Sequence, residues 1–344
     1  MRKGGAVASR GIGAMVIAAV GLLVISTTAT LHAQDARKKV SMRLDWVYQG
    51  PNIGFVVAKD KGFYDEIGLD VDVGPGKGSG ITAQLVANKA ADFGFSDGYV
   101  LAGSIAKGMN IRMVAAVYRR NPTAIVYLAE SGLKSPKDLE GKTIAIPPGA
   151  TQFQQWPAFV KGCGLDGSKV NVTNVDPAGL LPALLSGKVN AVGTYVQGTV
   201  PSVEIRGKKE ASYFWYADCG VASVSNGIIV HNDTIKENPA LVRNFVKASI
   251  RGFIYARQNP DEAAAIVKKY SESLVPEIVK REMELSWATW NTPNTKGKPL
   301  GWMSDTDWAA TVDVIKQYGG VSNLDAKALY TNDFAPEDAA FVVP

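Results

Sequence analysis

The stretch Val40–Tyr64, VSMRLDWVYQGPNIGFVVAKDKGFY, decides the fold. It reads as a short strand ending at Asp45 and Trp46, a Gly-Pro-Asn turn, and then residues with the spacing of an amphipathic helix. A strand tip carrying an acid and an indole, with a helix turning back from it, sets both groups at the carboxyl end of a sheet, where open α/β sheets bind ligands. Trp46 offers a flat face for stacking and Asp45 an acceptor for N–H or O–H groups. An indole covering a core and a carboxylate capping a turn use the same residue types, so the stretch alone leaves both roles open.

Upstream, Arg2, Lys3 and Arg10 precede an apolar run from Gly11 to Ser26 and a small-residue stretch from Thr27 to Ala33. This is the pattern of a secretory signal peptide over residues 1–33, cleaved after Ala33 or, as a second choice, after Ala29. The apolar run is shorter than the ~20 residues a membrane span needs, and no Cys stands near for a lipid anchor. Removing the three basic residues, with no acid among residues 1–33, lowers the formal charge from +5 to +2 and removes the support for a nucleic-acid partner. The chain is long enough, at 344 residues, for two lobes. Of its two His residues only His231 lies past the leader, and its two Cys, Cys163 and Cys219, are far apart. A Ser-His-Asp triad or an ordinary zinc site is therefore not expected, and neither metal nor cofactor is called for. An oxidising compartment would permit a Cys163–Cys219 disulfide, but buried free thiols are common and are the preferred expectation.

Downstream, strand and helix patterns alternate. Strands are expected at Leu69–Val73, Ala91–Phe95, Arg112–Tyr118, Ala124–Ala129, Thr143–Ile146, Asn171–Val175, Ala191–Tyr195 and Gly227–Val230. The Gly74–Gly80 loop, GPGKGSG, lacks GxGxxG spacing and is read either as a loop with amides facing a cleft or as an ordinary turn. Gly141–Thr143 leads into a strand instead of following one, which rules out a phosphate loop. The turn Pro147–Gln152 opens a helix whose first amides face a strand's carboxyl end. Residues 88–92, NKAAD, and residues 187–190, GKVN, each precede a strand, a faint internal echo that would set Thr194, Tyr195 and Gln197 against Ser96 and Asp97. The polar stretch Lys134–Lys142 is taken as the first crossing between lobes, and the region of Gly227–Val230 as the return. After Asn238 the pattern is helical, with Trp287 and Trp290 on one face and expected in the core.

Several motifs carry a resemblance: RLDW at Arg43–Trp46, KGFYDEIGLDVDV at Lys61–Val73, GSGITAQLVANKAADFGFSD at Gly78–Asp97, LKSPKDLEGKTIAIPPG at Leu133–Gly149 and YADCGV at Tyr216–Val221. Over about residues 40–320 the chain resembles type II periplasmic substrate-binding proteins of ABC transporters, in the nitrate, sulfonate and taurine-type group. Its Leu-Asp-Trp strand lies nearest the branch that binds thiamine-pyrimidine precursors. The resemblance implies a two-lobed α/β fold, each lobe a mixed sheet flanked by helices, joined by a hinge of two crossing strands. Lobe I is expected over 34–128 and 226–344, lobe II over 129–225. It further implies a monomer in the periplasm that hands a small molecule to an ABC transporter permease. The implied cleft residues are Asp45, Trp46, Ser96, Asp97, Gly149, Ala150, Thr151, Gln152, Tyr195, Gln197 and Asp218. Two departures stand out. Pyrimidine binders follow Leu-Asp-Trp with Pro-Asn and a His, whereas Val47–Gly54 here, VYQGPNIG, holds no His. A pyrimidine-synthesising enzyme of the same branch has a cysteine-rich run and an essential His, of which only Asp218-Cys219-Gly220 is present, so that activity is not expected.

Chemistry narrows the ligand. Asp45, Asp97 and Asp218 at strand tips would repel a sulfonate or nitrate and favour a solute that donates hydrogen bonds. With Trp46 and Tyr195 as stacking faces, the expected ligand is a flat nitrogen heterocycle, an aminopyrimidine foremost. The competing readings are an anion binder of the same fold and a secreted hydrolase using a carboxylate pair.

Overall fold

The computed structural model describes residues 37–343; the expected leader lies outside them. The first sheet has the order β2-β1-β3-β10-β4 and the second β7-β6-β8-β5-β9. The first is built from β1 (Lys38–Arg43), β2 (Leu69–Gly74), β3 (Phe93–Asp97), β4 (Ile111–Ala116) and β10 (Asn226–His231). The second comprises β5 (Thr123–Leu128), β6 (Thr143–Ala145), β7 (Asn171–Thr173), β8 (Ala191–Tyr195) and β9 (Ala211–Trp215). Burial explains the strand sequences. At the edge, β2 alternates, with Asp70 and Asp72 exposed, whereas β3, covered on both faces, is buried throughout.

The two sheets share one plan. In each, a central strand (β3 or β8) lies between a parallel neighbour (β1 or β6) and an antiparallel one (β10 or β5). The echo in the sequence has a physical basis here. Asp92, just before β3, accepts from the Ser41 amide of β1 at 2.7 Å, and Asn190, just before β8, accepts from the Thr143 amide of β6 at 2.9 Å. The same short acceptor thus clasps the parallel neighbour in both lobes.

One expectation is corrected by the pairing. β5, assigned to lobe I by the sequence reading, runs antiparallel to β8 and β9 in the second sheet. The first crossing is therefore residues 117–122 and not Lys134–Lys142. Composition could not reveal this, because β5 is as fully buried as the interior strands of the first sheet; long-range pairing alone decides its sheet. The return crossing is residues 216–225, before β10. Neither crossing is a strand of either sheet, but they run side by side: the Ser225 amide donates to the Tyr118 carbonyl at 3.0 Å, the Tyr118 amide to the Asn226 carbonyl at 2.8 Å, and Asn121 Nδ2 to Ser223 Oγ at 2.7 Å.

Helices after β10 cover the first sheet. In Pro239–Gln258, Val242, Phe245, Val246, Ser249, Ile250 and Phe253 form a buried stripe, and Phe245 stacks on Phe93 with ring centres 3.9 Å apart. Trp290 is buried in the same core and Trp287 packs against it. Cys163 and Cys219 are joined, which overturns the expectation of free thiols: the helix Thr151–Cys163 ends against the turn Ala217–Cys219 that opens the return crossing. The cross-link spans a sequence separation of 56. On loop-closure entropy, opening it costs about 4 kcal/mol. Replacing both cysteines by serine is expected to lower the urea midpoint accordingly, with no further loss on adding reductant. An unchanged midpoint would show that the bond adds nothing to stability.

Candidate functional site

Five segments meet between the lobes: the tips of β1, β3 and β10 from the first, and the tip of β8 with the start of the helix Thr151–Cys163 from the second. Asp45 and Trp46 leave β1, Tyr195 ends β8, and Asn226 begins β10, whose antiparallel direction brings its first residue to the cleft. Between them lies a cavity, of about 310 Å³ when the solvent space at its mouth is included, lined by Asp45, Trp46, Gln49, Ser79, Thr151 and Tyr195, among others. Trp46 and Tyr195 thus face one hollow. Trp46, although from the first lobe, packs against the apolar cluster of the second.

A buried polar network crosses the seam. The Tyr195 hydroxyl donates to Asn226 Oδ1 at 2.6 Å, Asn226 Nδ2 donates to Asp45 Oδ2 at 2.8 Å, and Thr151 Oγ1 lies 3.1 Å from the Tyr195 hydroxyl. Thr151 also bonds Ser79 Oγ at 3.2 Å, and the Gly80 amide donates to the Gly149 carbonyl at 3.0 Å, both from one lobe to the other. The Gly-rich loop is therefore the surface on which the first lobe meets the second. The lobes are closed.

Burial, more than any neighbour, holds the Asp45 carboxyl up to about 7, helped by the charge of Asp97; its own backbone and Asn226 pull the other way. Burial likewise raises Asp97 to about 6, against its bonds from Ser225, Val100, Tyr99 and Tyr195. Among the described residues no Lys, Arg or His lines the cavity. The amides of Thr151 and Gln152, at the first turn of their helix, add donors with no intrahelical acceptor.

The expected residues fall into three groups. Asp45, Trp46, Ala150, Thr151, Gln152 and Tyr195 line the cavity. Ser96, Asp97, Gly149 and Gln197 are outside its lining: Ser96 donates to the Ser79 carbonyl, Asp97 caps the helix Gly98–Ala106 through the Tyr99 and Val100 amides, Gly149 supplies the interlobe carbonyl, and Gln197 is buried in the first turn after β8. Asp218 does not belong to the site. It is exposed on the disulfide-bonded turn, because the return crossing, and not a strand, carries it. Sequence reading missed Gln49, Ser79, Asn226 and Gly198. A polar Ser225-Asn226 pair before the apolar GIIV was a usable signal for Asn226, while nothing local marks Gln49. His231 ends β10 at the far edge from Asn226 and caps the next helix by accepting from the Asp233 amide.

A family model described as NMT1/THI5 like matches residues 51–263. The chain belongs to this family. This NMT1/THI5-like chain is 26% identical over 302 residues to a formylaminopyrimidine-binding protein of Halalkalibacterium halodurans, covering 86% of this chain and 89% of the relative. It is 26% identical over 321 residues to the riboflavin-binding protein RibY of Chloroflexus aurantiacus, covering 89% and 88%. In fold it is similar to the alkanesulfonate-binding protein SsuA of Xanthomonas axonopodis pv. citri bound to MOPS, with TM-score 0.66 and 14% identity, over 85% of this chain and 98% of that one.

Proposed function

We propose that this protein is the exported, monomeric solute-binding component of an ABC importer, and that it holds a flat nitrogen heterocycle of the aminopyrimidine kind between its lobes. One observation carries the ligand class: a buried carboxyl group faces the cavity and, among the described residues, no cationic side chain does. Above about pH 7 a sulfonate or nitrate placed there would meet a like charge without compensation, whereas ring N–H and amino groups would find Asp45 as an acceptor and a stacking face on Trp46. Relatives that match nearly their whole length and are named for binding heterocycles support the reading. The ligand bridges both lobes, shifts the population toward the closed form, and presents that form to a permease in the inner membrane; export through the leader places it in the periplasm. Among the described residues no helix is long and apolar enough to cross a membrane.

Turnover is not part of this proposal. A hydrolytic carboxylate pair needs two groups facing one substrate, but Asp97 is held by a helix cap and by Ser225, and Asp218 is on the surface. Calorimetry against aminopyrimidines, purines, flavins, aromatic acids, taurine and nitrate tests the class. Submicromolar binding of an anion with no heterocycle bound would reject it. Trp46→Ala is expected to weaken binding of the best heterocycle at least tenfold, about 1.4 kcal/mol, and an unchanged dissociation constant would remove the indole from the site.

A further inference from the structure

The inner cavity has a neighbour. Trp46, Gln49 and Gly198 line both it and a larger outer cleft, of about 1420 Å³ when the solvent space at its mouth is included. The outer cleft is also walled by both lobes: Leu181, Leu185 and Arg206 come from the second, Tyr48, Ile278 and Glu282 from the first. Its most unusual feature is Glu282. This carboxyl is 97% buried, with a relative exposure of 3%, takes the Gly50 amide on Oε2 at 2.7 Å, and forms no ion pair among the described residues. The opposing charge that acts on it is Arg206, which lines the same cleft from the second lobe and whose Nη2 donates to the Ser273 carbonyl at 2.8 Å, tying the second lobe to the first.

Resting on the heterocycle reading above, we propose that the outer cleft is a second compartment of the same site, which takes a neutral, hydroxylated arm carried by the ring held inside. A cationic arm would be repelled by Arg206, an anionic arm would gain little from a guanidinium that is exposed and already tied to the Ser273 carbonyl, and a purely apolar arm would strip water from both groups without replacing its hydrogen bonds. A hydroxyl donates and accepts, which suits a carboxyl facing a guanidinium, and the leucine wall takes the carbon chain. Burial supports this pairing by holding the Glu282 carboxyl up to about 8, so that near neutral pH it is largely protonated and can also donate. Both compartments close in one motion, so an arm that reaches Glu282 adds contacts only in the closed form.

The test uses two pairs matched in their ring, cytosine with cytidine and lumiflavin with riboflavin, titrated calorimetrically into the purified protein. In whichever pair binds, the hydroxylated member is expected to bind at least tenfold tighter. Glu282→Ala should reduce that advantage below threefold and leave the bare ring within twofold of its original affinity. Glu282→Gln, which also donates and accepts, should keep the advantage. Leu181→Trp, which fills the cleft from the other lobe, should abolish it and keeps the test open should Glu282→Ala fail to fold. Equal affinity of the two members, or an advantage that survives both disruptive variants, overturns the second compartment while leaving the ring site standing. If no member of either pair binds, the second compartment as proposed fails, and the wider ligand panel above decides separately whether the ring reading stands.

Discussion

Gly149→Val is expected to lower solute affinity at least a hundredfold, about 2.7 kcal/mol, with the unfolding temperature of the ligand-free protein unchanged. Gly149 faces the first lobe so closely that an added Cβ would lie 2.8 Å from Ile81 Cδ1 and 3.1 Å from the Lys77 carbonyl oxygen. Its backbone is not in the left-handed region, so a side chain there needs no strained φ, and the atoms nearest to an added Cβ all belong to the first lobe. The clash exists only when the lobes meet, and the substitution therefore penalises the closed state alone. Titration calorimetry reads the affinity and small-angle scattering the closure. Wild-type affinity in the variant would mean that binding does not require the Gly80–Gly149 contact.

Asp45→Asn is expected to act in opposite directions on stability and binding. The folded protein holds Asp45 at about 7 against an ordinary 3.8. A raised folded value means that the group's favourable contribution is complete below the unfolded value, near pH 4, and is lost as pH rises through about 7. The loss amounts to about 4 kcal/mol at full ionisation. Asp97 acts in the same direction up to about pH 6, and the two titrate as a pair because each raises or faces the other's charge. Asparagine never ionises and still offers Asn226 an acceptor. Thermal unfolding at pH 4, 6 and 8 should therefore show the variant level with wild type at pH 4 and clearly more stable at pH 8. A gap that does not widen with pH would mean that Asp45 is not the group responsible. Binding should fall about thirtyfold, since a charge-assisted hydrogen bond of about 2 kcal/mol is removed.

How much of this was legible in the chain follows from how local each signal is. The strand tip at Asp45 and Trp46 was readable because strand, turn and helix follow one another within a few turns of chain. The helical character of the chain after Asn238 was equally plain from its apolar spacing. β9 went unassigned, because its Ser-Tyr-Phe-Trp run is half-buried on both sides and shows no alternation. The lobe assignment of β5 and the place of Asp218 failed for a shared reason: both depend on which distant segment the chain pairs with after leaving a sheet, and residue types do not encode that. Asn226 belongs to the cavity network only because β10 runs against β3, a fact of topology. The disulfide was likewise undecidable from two cysteines whose spatial separation is set by the helix Thr151–Cys163.

The position of β10 between β3 and β4 also governs the order in which the molecule can be assembled. The first sheet lacks an interior member until residue 231 is available, whereas every strand of the second lies within residues 123–215. A polypeptide emerging amino end first can finish its middle portion while its beginning is still waiting, and the binding cavity, which needs both, is completed last. Fragments ending before Asn226 would hold Asp45, Trp46 and Tyr195 and yet have no frame to bring them together.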